Sequence, residues 1–362
     1  LGVQFTVSIA LIVFSVCALQ QQRYVRRFDL GFDHERMLSF DLPSPKLYNP
    51  DSFDTFASSL QADPQIVGVT ASSSRFVADA VSIFGREIND RKVDIHIRIV
   101  RSNFLDVLGI PIIAGENLRP GYDRDTTLHY VVNELLAGQG LGLGDRLDDG
   151  TVVGICPDIH YRPLQYPTEP FAFVAGTYWP VPMSHFYVRL AAGADFEAVC
   201  NHIRRAAERF DPDCGAFDIR FMDEEIDAQY ARERRITTIV GLFTVLAVVI
   251  ALMGVFGIVL FEAQHRRREV AVRKVMGATT AEVLRLFNRR YVRLVAVCFV
   301  VAAPVGYWIV DRWLASFAYR TPLRWWVFAA ALAVVLAVTV ATVTFCSWRT
   351  AGENPADAVK SE

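Results

Sequence analysis

The chain has 362 residues, 52% of them hydrophobic, with a mean hydropathy of +0.26 and a formal charge of −2. About a quarter of it lies in four runs that carry no charged residue: Leu1–Gln22, Ile236–Phe261, Leu294–Val310 and Trp325–Trp348. Such segregation excludes a soluble enzyme, a disordered chain and a collagen-like fibre, and predicts a membrane protein with a large water-facing part.

A bilayer core about 30 Å thick needs roughly 20 apolar residues in a helix. The first run starts at residue 1, a Leu already inside apolar sequence, and reads as a first span over 1–22 with a truncated start. The parent gene is therefore expected to extend upstream. A signal peptide is the competing reading, but no basic segment precedes the run, and Gln20-Gln21-Gln22-Arg23 stands where a small-residue cleavage site belongs.

Residues 23–235 hold 23 basic and 32 acidic side chains, a net of −9, and are long enough for a core of their own. Apolar stretches rich in β-branched residues predict strands at Met37–Leu42, Ile66–Thr70, Val93–Val100, Tyr130–Asn133, Thr151–Cys156, Phe171–Ala175, Phe186–Leu190 and Phe217–Phe221. Between them, Phe53, Phe56 and Leu60 share one helical face, and Phe196, Val199, Ile203 and Ala207 share another. Strands alternating with helices point to an α/β or α+β domain, in two lobes. Asp149-Gly150 and Arg119-Pro120-Gly121 mark turns. At the domain ends, Gln20–Leu30 and Asp223–Arg235 read either as helical extensions of the spans, forming a paired stalk, or as ordinary polar flanks.

No catalytic constellation emerges. Gly138-Gln-Gly-Leu-Gly-Leu-Gly144 lacks the closing Gly-Lys-Ser/Thr of a phosphate-cradling loop, with Asp145 in its place, and reads as a turn-rich connection. Asp158 with His160, or Asp33, His34 and Glu35, would each need a second cluster at ligand spacing to hold a metal. His96, His129, His185 and His202 are scattered without a nucleophile motif. Cys17, Cys298 and Cys346 fall in the apolar runs. Of Cys156, Cys200 and Cys214, the last two could pair around Asp211-Pro212, although an odd count argues against a disulfide scaffold. No catalytic, cofactor or metal residue is assigned.

The second run, 236–261, spans easily. Between Glu262 and Arg293 lie nine Lys or Arg and three acids, a net of +6, which places this loop in the cytoplasm and the 23–235 domain outside. Within the loop (262–290), a basic helix is predicted to end at Gly277, a left-handed C-cap. Thr279 then caps a second helix with Glu282 at the capping-box spacing. Val283, Leu284, Phe287 and Tyr291 form its apolar stripe. The basic helix suits either a groove on a cytoplasmic partner or an anionic lipid surface. A third span over 291–314 extends the short run at Leu294, a fourth covers 325–348, and 349–362 is a cytoplasmic tail.

Arg267-Arg-Glu-Val-Ala-Val-Arg-Lys-Val-Met-Gly-Ala278 resembles the signature that follows the second span of FtsX/MacB-type ABC transporter permeases. Asn354-Pro355-Ala356 with Ala358-Val359 resembles that family's C-terminal pattern, departing at its last positions. Val131-Val-Asn-Glu134 and Val152–Tyr161 resemble the MacB-type periplasmic core. Gln4–Ser8 and Asp29–Asp33 resemble the second half of permeases that carry this module twice.

The resemblance implies four transmembrane helices, with a large α+β extracytoplasmic domain between the first two, in a bacterial inner membrane. It implies a non-catalytic subunit without a cofactor of its own, ATP being bound by a separate cytoplasmic ABC ATPase. Arg267, Arg268, Glu269, Val270, Val272, Arg273, Lys274, Val275, Met276 and Gly277 would form the coupling helix seated on that ATPase. A second permease copy or a homologous half would complete a dimer, a periplasmic adaptor is a further partner it allows, and nucleic acid is not one. Movement of the periplasmic domain, termed mechanotransmission, would serve efflux or export of a peptide, drug or lipoprotein-type substrate. A membrane receptor with a periplasmic sensor domain is the alternative; a membrane enzyme acting outside would need a convergent polar pocket.

Overall fold

The computed structural model describes residues 1–77, 83–177, 181–265, 276 and 279–351. In chain order the helices are α1 (Gly2–Arg27), α2 (Pro50–Gln61), α3 (Phe104–Leu108), α4 (Glu134–Gly138), α5 (Phe196–Phe210), α6 (Met222–Gln229), α7 (Ala231–His265), α8 (Thr280–Leu314) and α9 (Trp325–Ala351). The strands are β1 (Met37–Asp41), β2 (Ile66–Ser72), β3 (Ile83–Ile88), β4 (Arg91–Ile99), β5 (Ala114–Gly115), β6 (Leu128–Asn133), β7 (Arg146–Leu147), β8 (Gly150–Cys156), β9 (Phe171–Ala175), β10 (His185–Leu190) and β11 (Ile219–Phe221). They fall into two compact units, an inserted domain over Phe28–Ala231 and a helical unit made of Leu1–Arg27 with the chain from Arg232 onward.

In the helical unit, α1, α7, α8 and α9 are each long and apolar enough to cross a membrane. Phe5 and Ile9 of α1 pack with Val295, Cys298 and Ala302 of α8 and with Val335 and Val343 of α9. Farther along, Val13 and Cys17 meet Val310, Leu314, Val327 and Ala331. Gly306 faces α1 at ordinary packing distance, with room for a Cβ 3.6 Å from the Ala10 Cα. Pro304 lies inside α8 and withholds one backbone N–H from the helix ladder. Polar clasps supplement this packing. Ser15 Oγ and Thr244 Oγ1 are 2.8 Å apart between α1 and α7, and Asn288 Nδ2 donates to Thr344 Oγ1 at 3.0 Å between α8 and α9. Buried Gln21 donates to the Tyr319 carbonyl (3.0 Å) and accepts from the Thr321 N–H (2.9 Å), fixing the α8–α9 connection to α1.

The inserted domain is built on two sheets. The first, in the order β11-β1-β10-β2, is antiparallel throughout. Its outer face carries Leu38, Phe40, Phe186 and Val188 against the apolar sides of α2 and α5. Asn49 starts α2, its side chain accepting from the Asp51 N–H at 2.9 Å, with Pro50 at the first turn. Phe53, Phe56 and Leu60 are buried as their spacing predicts. Asp195 caps α5, and Val199, Ile203 and Ala207 are buried; Phe196 instead stays exposed at the helix start, stacked on Phe221.

The second sheet runs β3-β4-β9-β6-β8-β5, with β7 added to β8, and mixes parallel pairs (β4–β9, β6–β8) with antiparallel ones. Alternation along β9 explains why all five of its residues are buried. Phe171, Phe173 and Ala175 enter a core shared with Met37 and Tyr187 of the first sheet, while Ala172 and Val174 enter a separate core on the other face. Strand β3, absent from the sequence expectation, is an edge strand. It is joined to β4 through Asn89 and Asp90, whose φ angles of +49° and +60° make a two-residue hairpin turn.

Between the layers, Arg101 donates to Asp54 of α2 at 2.7 Å and lies 3.3 Å from Asp123, which also accepts from the Ser102 N–H at 2.9 Å. Arg124 bridges Asp51 and Asp54. The side chains of Arg101 and Asp123 are only 6% and 7% exposed. Burial raises the Asp123 carboxyl, against the opposing pull of Arg101 and Ser102. Replacing Arg101→Met leaves that carboxylate without its charge partner, and is expected to destabilise the domain by about 3 kcal/mol in denaturant unfolding. Adding Asp123→Asn should recover part of the loss.

Asp41, opposite His185 in the β1–β10 ladder, behaves differently. Burial would raise its carboxyl, but His185 and Arg75 outweigh that and hold it at about 2, against an unperturbed 3.8. A depressed carboxylate contributes stability that is present above pH 4 and lost as the pH falls towards 2. Pulse proteolysis with pepsin across that window should show the wild type opening progressively, and Asp41→Asn should flatten the dependence.

Candidate functional site

The basic surface expected on the loop between α7 and α8 carries Arg267, Arg268, Glu269, Val270, Val272, Arg273, Lys274, Val275 and Gly277, all outside the described residues. Met276 is described and is exposed. The tail from Asn354 also falls outside. What the structure does describe is how the loop is anchored. Thr279 Oγ1 accepts from the Glu282 N–H at 3.3 Å and Glu282 Oε2 accepts from the Thr279 N–H at 2.9 Å, the reciprocal capping box anticipated from the sequence. Phe287 and Tyr291 of the expected stripe are buried in the helical core and Leu284 is half-buried.

Across from them, the last turns of α7 contribute Glu262, whose side chain is 13% exposed. Its carboxylate accepts a charge-assisted hydrogen bond from Arg290 and lies 3.4 Å from the Tyr291 hydroxyl. The two helix ends that flank the basic loop are therefore tied together at one acid. Sequence reading counted Glu262 only as charge. Its spacing from Arg290, 28 positions along the chain, follows no local period that would reveal a pair.

The polar groups singled out in the inserted domain have local duties. Asp158 accepts from Asn133 Nδ2 (2.7 Å) and the Leu135 N–H (3.2 Å), while His160 lies 3.1 Å from Thr168 Oγ1. Asp33 is paired with Arg189, and His34 with Asp223. His129 is stacked on Tyr122 and bonded to Asp125, and His202 reaches the Ser59 carbonyl. Among the described residues no group of three His, Cys, Asp or Glu is placed to hold a metal. In the glycine-rich stretch, Asp145 accepts from the Gly142 N–H at 2.7 Å, and Gly140 adopts φ +103° where a Cβ would strike Asn89. This is a tight connection rather than a cradle. Cys200 and Cys214 carry free thiols.

An open cleft of about 500 Å³ runs along Ile83, Arg91, Lys92, Asp94, His96, Gln139 and Glu169 at the β3–β4 side of the larger sheet. It brings together two cations, two acids and a histidine, with no Ser, Thr or Cys among the described residues that line it. His96 lies 3.0 Å from Glu169, which also pairs with Arg162 at 2.5 Å. Sequence reading left His96 as one of several scattered histidines and did not single out Arg98 beside it. Ile95, Ile97 and Ile99 alternate with His96, Arg98 and Val100, a pattern that reads as a strand with one solvated face. The structure buries both faces.

Residues 241–355 match the family described as FtsX-like permease C-terminal. No curated protein matches the sequence. Three solved structures resemble parts of the chain. The periplasmic region of MacB from Actinobacillus actinomycetemcomitans has a TM-score of 0.39 at 9% identity, over 56% of this chain and 95% of that one. The extracellular domain of the noncanonic ABC-type transporter YknZ from Gram-positive bacteria has 0.37 at 14%, over 51% and 99%. A domain of a protein described as a permease from Porphyromonas gingivalis has 0.35 at 17%, over 52% and 91%. The chain thus joins four helices long and apolar enough to cross a membrane, an α+β domain between the first and second, and a C-terminal third, residues 241–355, that matches the FtsX-like permease family.

Proposed function

We propose that this permease couples ATP hydrolysis by a separate cytoplasmic ABC ATPase to movement of its periplasmic domain, in efflux or export of a peptide, drug or lipoprotein-type substrate. FtsX/MacB-like permeases, whose C-terminal family residues 241–355 match, work with ABC ATPases. The observation that carries the reading is the junction of α7 and α8. The stretch from Glu262 to Arg293 carries nine basic and three acidic residues; within it the capping box at Thr279 starts α8, and Glu262 is clamped to Arg290 and Tyr291. A basic segment held between two anchored ends is a handle. A partner that seats on it and moves can transmit that motion into two membrane helices at once. The membrane helices themselves offer no route for a charged solute, since Ile236–Phe261, Leu294–Val310 and Trp325–Trp348 carry no ionisable Asp, Glu, Lys or Arg. A second permease copy would complete the unit.

The test is affinity purification of the full chain in mild detergent from its native cells. An ABC ATPase should co-purify in near-stoichiometric amount and be lost from the Arg273→Glu/Lys274→Glu variant; a preparation free of any ATPase would favour a receptor. Glu262→Gln should leave the ATPase bound but weaken the clamp by about 1 kcal/mol. Permease-stimulated ATP turnover should then fall about fivefold, and a Glu262→Arg/Arg290→Glu exchange should restore part of it.

A further inference from the structure

Strand β4 presents two ionisable side chains to the core between the sheets. Arg98, His96 and Tyr161 are 4%, 5% and 6% exposed. The Arg98 guanidinium lies over the rings of Phe76 and Tyr161, 5.3 and 5.4 Å from their centroids. Its Nη1 donates to the Ser74 carbonyl (3.3 Å), the Ser74 hydroxyl (3.2 Å) and the Arg75 carbonyl. Among the described residues no carboxylate pairs with it. Three buried polar atoms here have no hydrogen-bond partner among the described residues: Arg98 Nη2, Tyr161 Oη and His96 Nδ1. All three residues line one cavity of about 10 Å³, closed off by Phe76, Phe171 and Phe173.

We propose that this cavity is a built site for a single water molecule, bridging Arg98 Nη2, Tyr161 Oη and His96 Nδ1. The volume fits one water, which needs about 10–15 Å³ and typically makes about three hydrogen bonds. Donor and acceptor roles specify water over an anion. His96 Nε2 lies 3.0 Å from Glu169, a carboxylate that only accepts, so the ring carries its proton on Nε2. Burial, ahead of the opposing pull of Glu169, holds the His96 imidazolium below the usual histidine range, so the ring is neutral. Nδ1 is then a bare lone pair that needs a donor, whereas Arg98 Nη2 is a donor that needs an acceptor. Burial pushes the Tyr161 phenol up to about 12, so it keeps its proton and can give or take a bond. Only a group that accepts from Arg98 and donates to His96 satisfies the ring of partners; a halide accepts alone and is larger.

The water completes a relay that runs from Glu169, on the wall of the open cleft, through His96 to the caged guanidinium. It gives Arg98 an indirect link to a carboxylate. Arg98 in turn holds the Ser74–Arg75 backbone, and the Phe76 N–H donates to the buried Tyr187 hydroxyl at 2.6 Å. The segment that leaves β2 is thereby pinned to the centre of the domain.

The test is a structure of the full chain in detergent at a resolution that shows ordered water, with a second data set after bromide soaking. The expected result is one peak about 3 Å from all three atoms, with no anomalous signal from bromide. Tyr161→Phe should keep that peak on Arg98 and His96, and thermal midpoints should be equal in chloride, bromide and gluconate at one ionic strength. An empty cavity, a bromide peak, or stabilisation specific to halides that Arg98→Met abolishes would overturn the proposal.

Discussion

Hydrocarbon offers a backbone no water to bond, so every N–H and C=O that enters it must find its partner within the chain. That constraint divides the molecule. Where the sequence runs without charge it has one solution, a continuous helix, and α1, α7, α8 and α9 all adopt it. Between α1 and α7 water returns, and the same chain is free to pair strands. Even inside the helical unit the constraint shapes the side chains. Thr244 and Thr342 turn their hydroxyls back onto carbonyls of their own helices, and Gln21 spends its whole amide on the α8–α9 connection.

In the inserted domain the organising demand is different: two sheets must share one core while each closes a second. Strand β9 is apolar on both faces because it serves two interiors at once, while β1 and β10 send Met37 and Tyr187 to the shared core and turn Leu38, Phe40, Phe186 and Val188 towards the helices. Tyr187 and Phe104 meet edge to face at 5.6 Å in the shared layer, and Phe40 stacks on Phe186 under the helices. Charge inside this architecture is tolerated only where partners converge. Arg101 has carboxylates from two elements, whereas Arg98 has rings and carbonyls.

The sequence made the large divisions legible. Charge-free runs located the membrane helices, eight of the strands lie where β-branched runs had marked them, and Thr279 with Glu282 announced a helix start that is present in full. Strand β3 escaped because Gly85, Arg86 and Glu87 dilute its pattern. Its exposed edge needs no apolar alternation, and the signal was the Asn89-Asp90 turn. Asp223–Arg235 forms helix as the stalk reading allowed, but in two pieces divided at Tyr230. The Glu262–Arg290 clamp and the Arg98 cage were invisible for one shared reason. Both depend on which distant segments meet, and no local period encodes that.

Pro304 has a mechanical meaning. With no N–H to give, it leaves the Val300 carbonyl without its helical donor, so α8 is least stiff at that point. Above and below, the helix is a pair of stiff rods packed against α1. A load along the helix would find its least resistance there, so any bend of α8 would be centred one turn from the contact of Gly306 with Ala10 rather than spread along the rod.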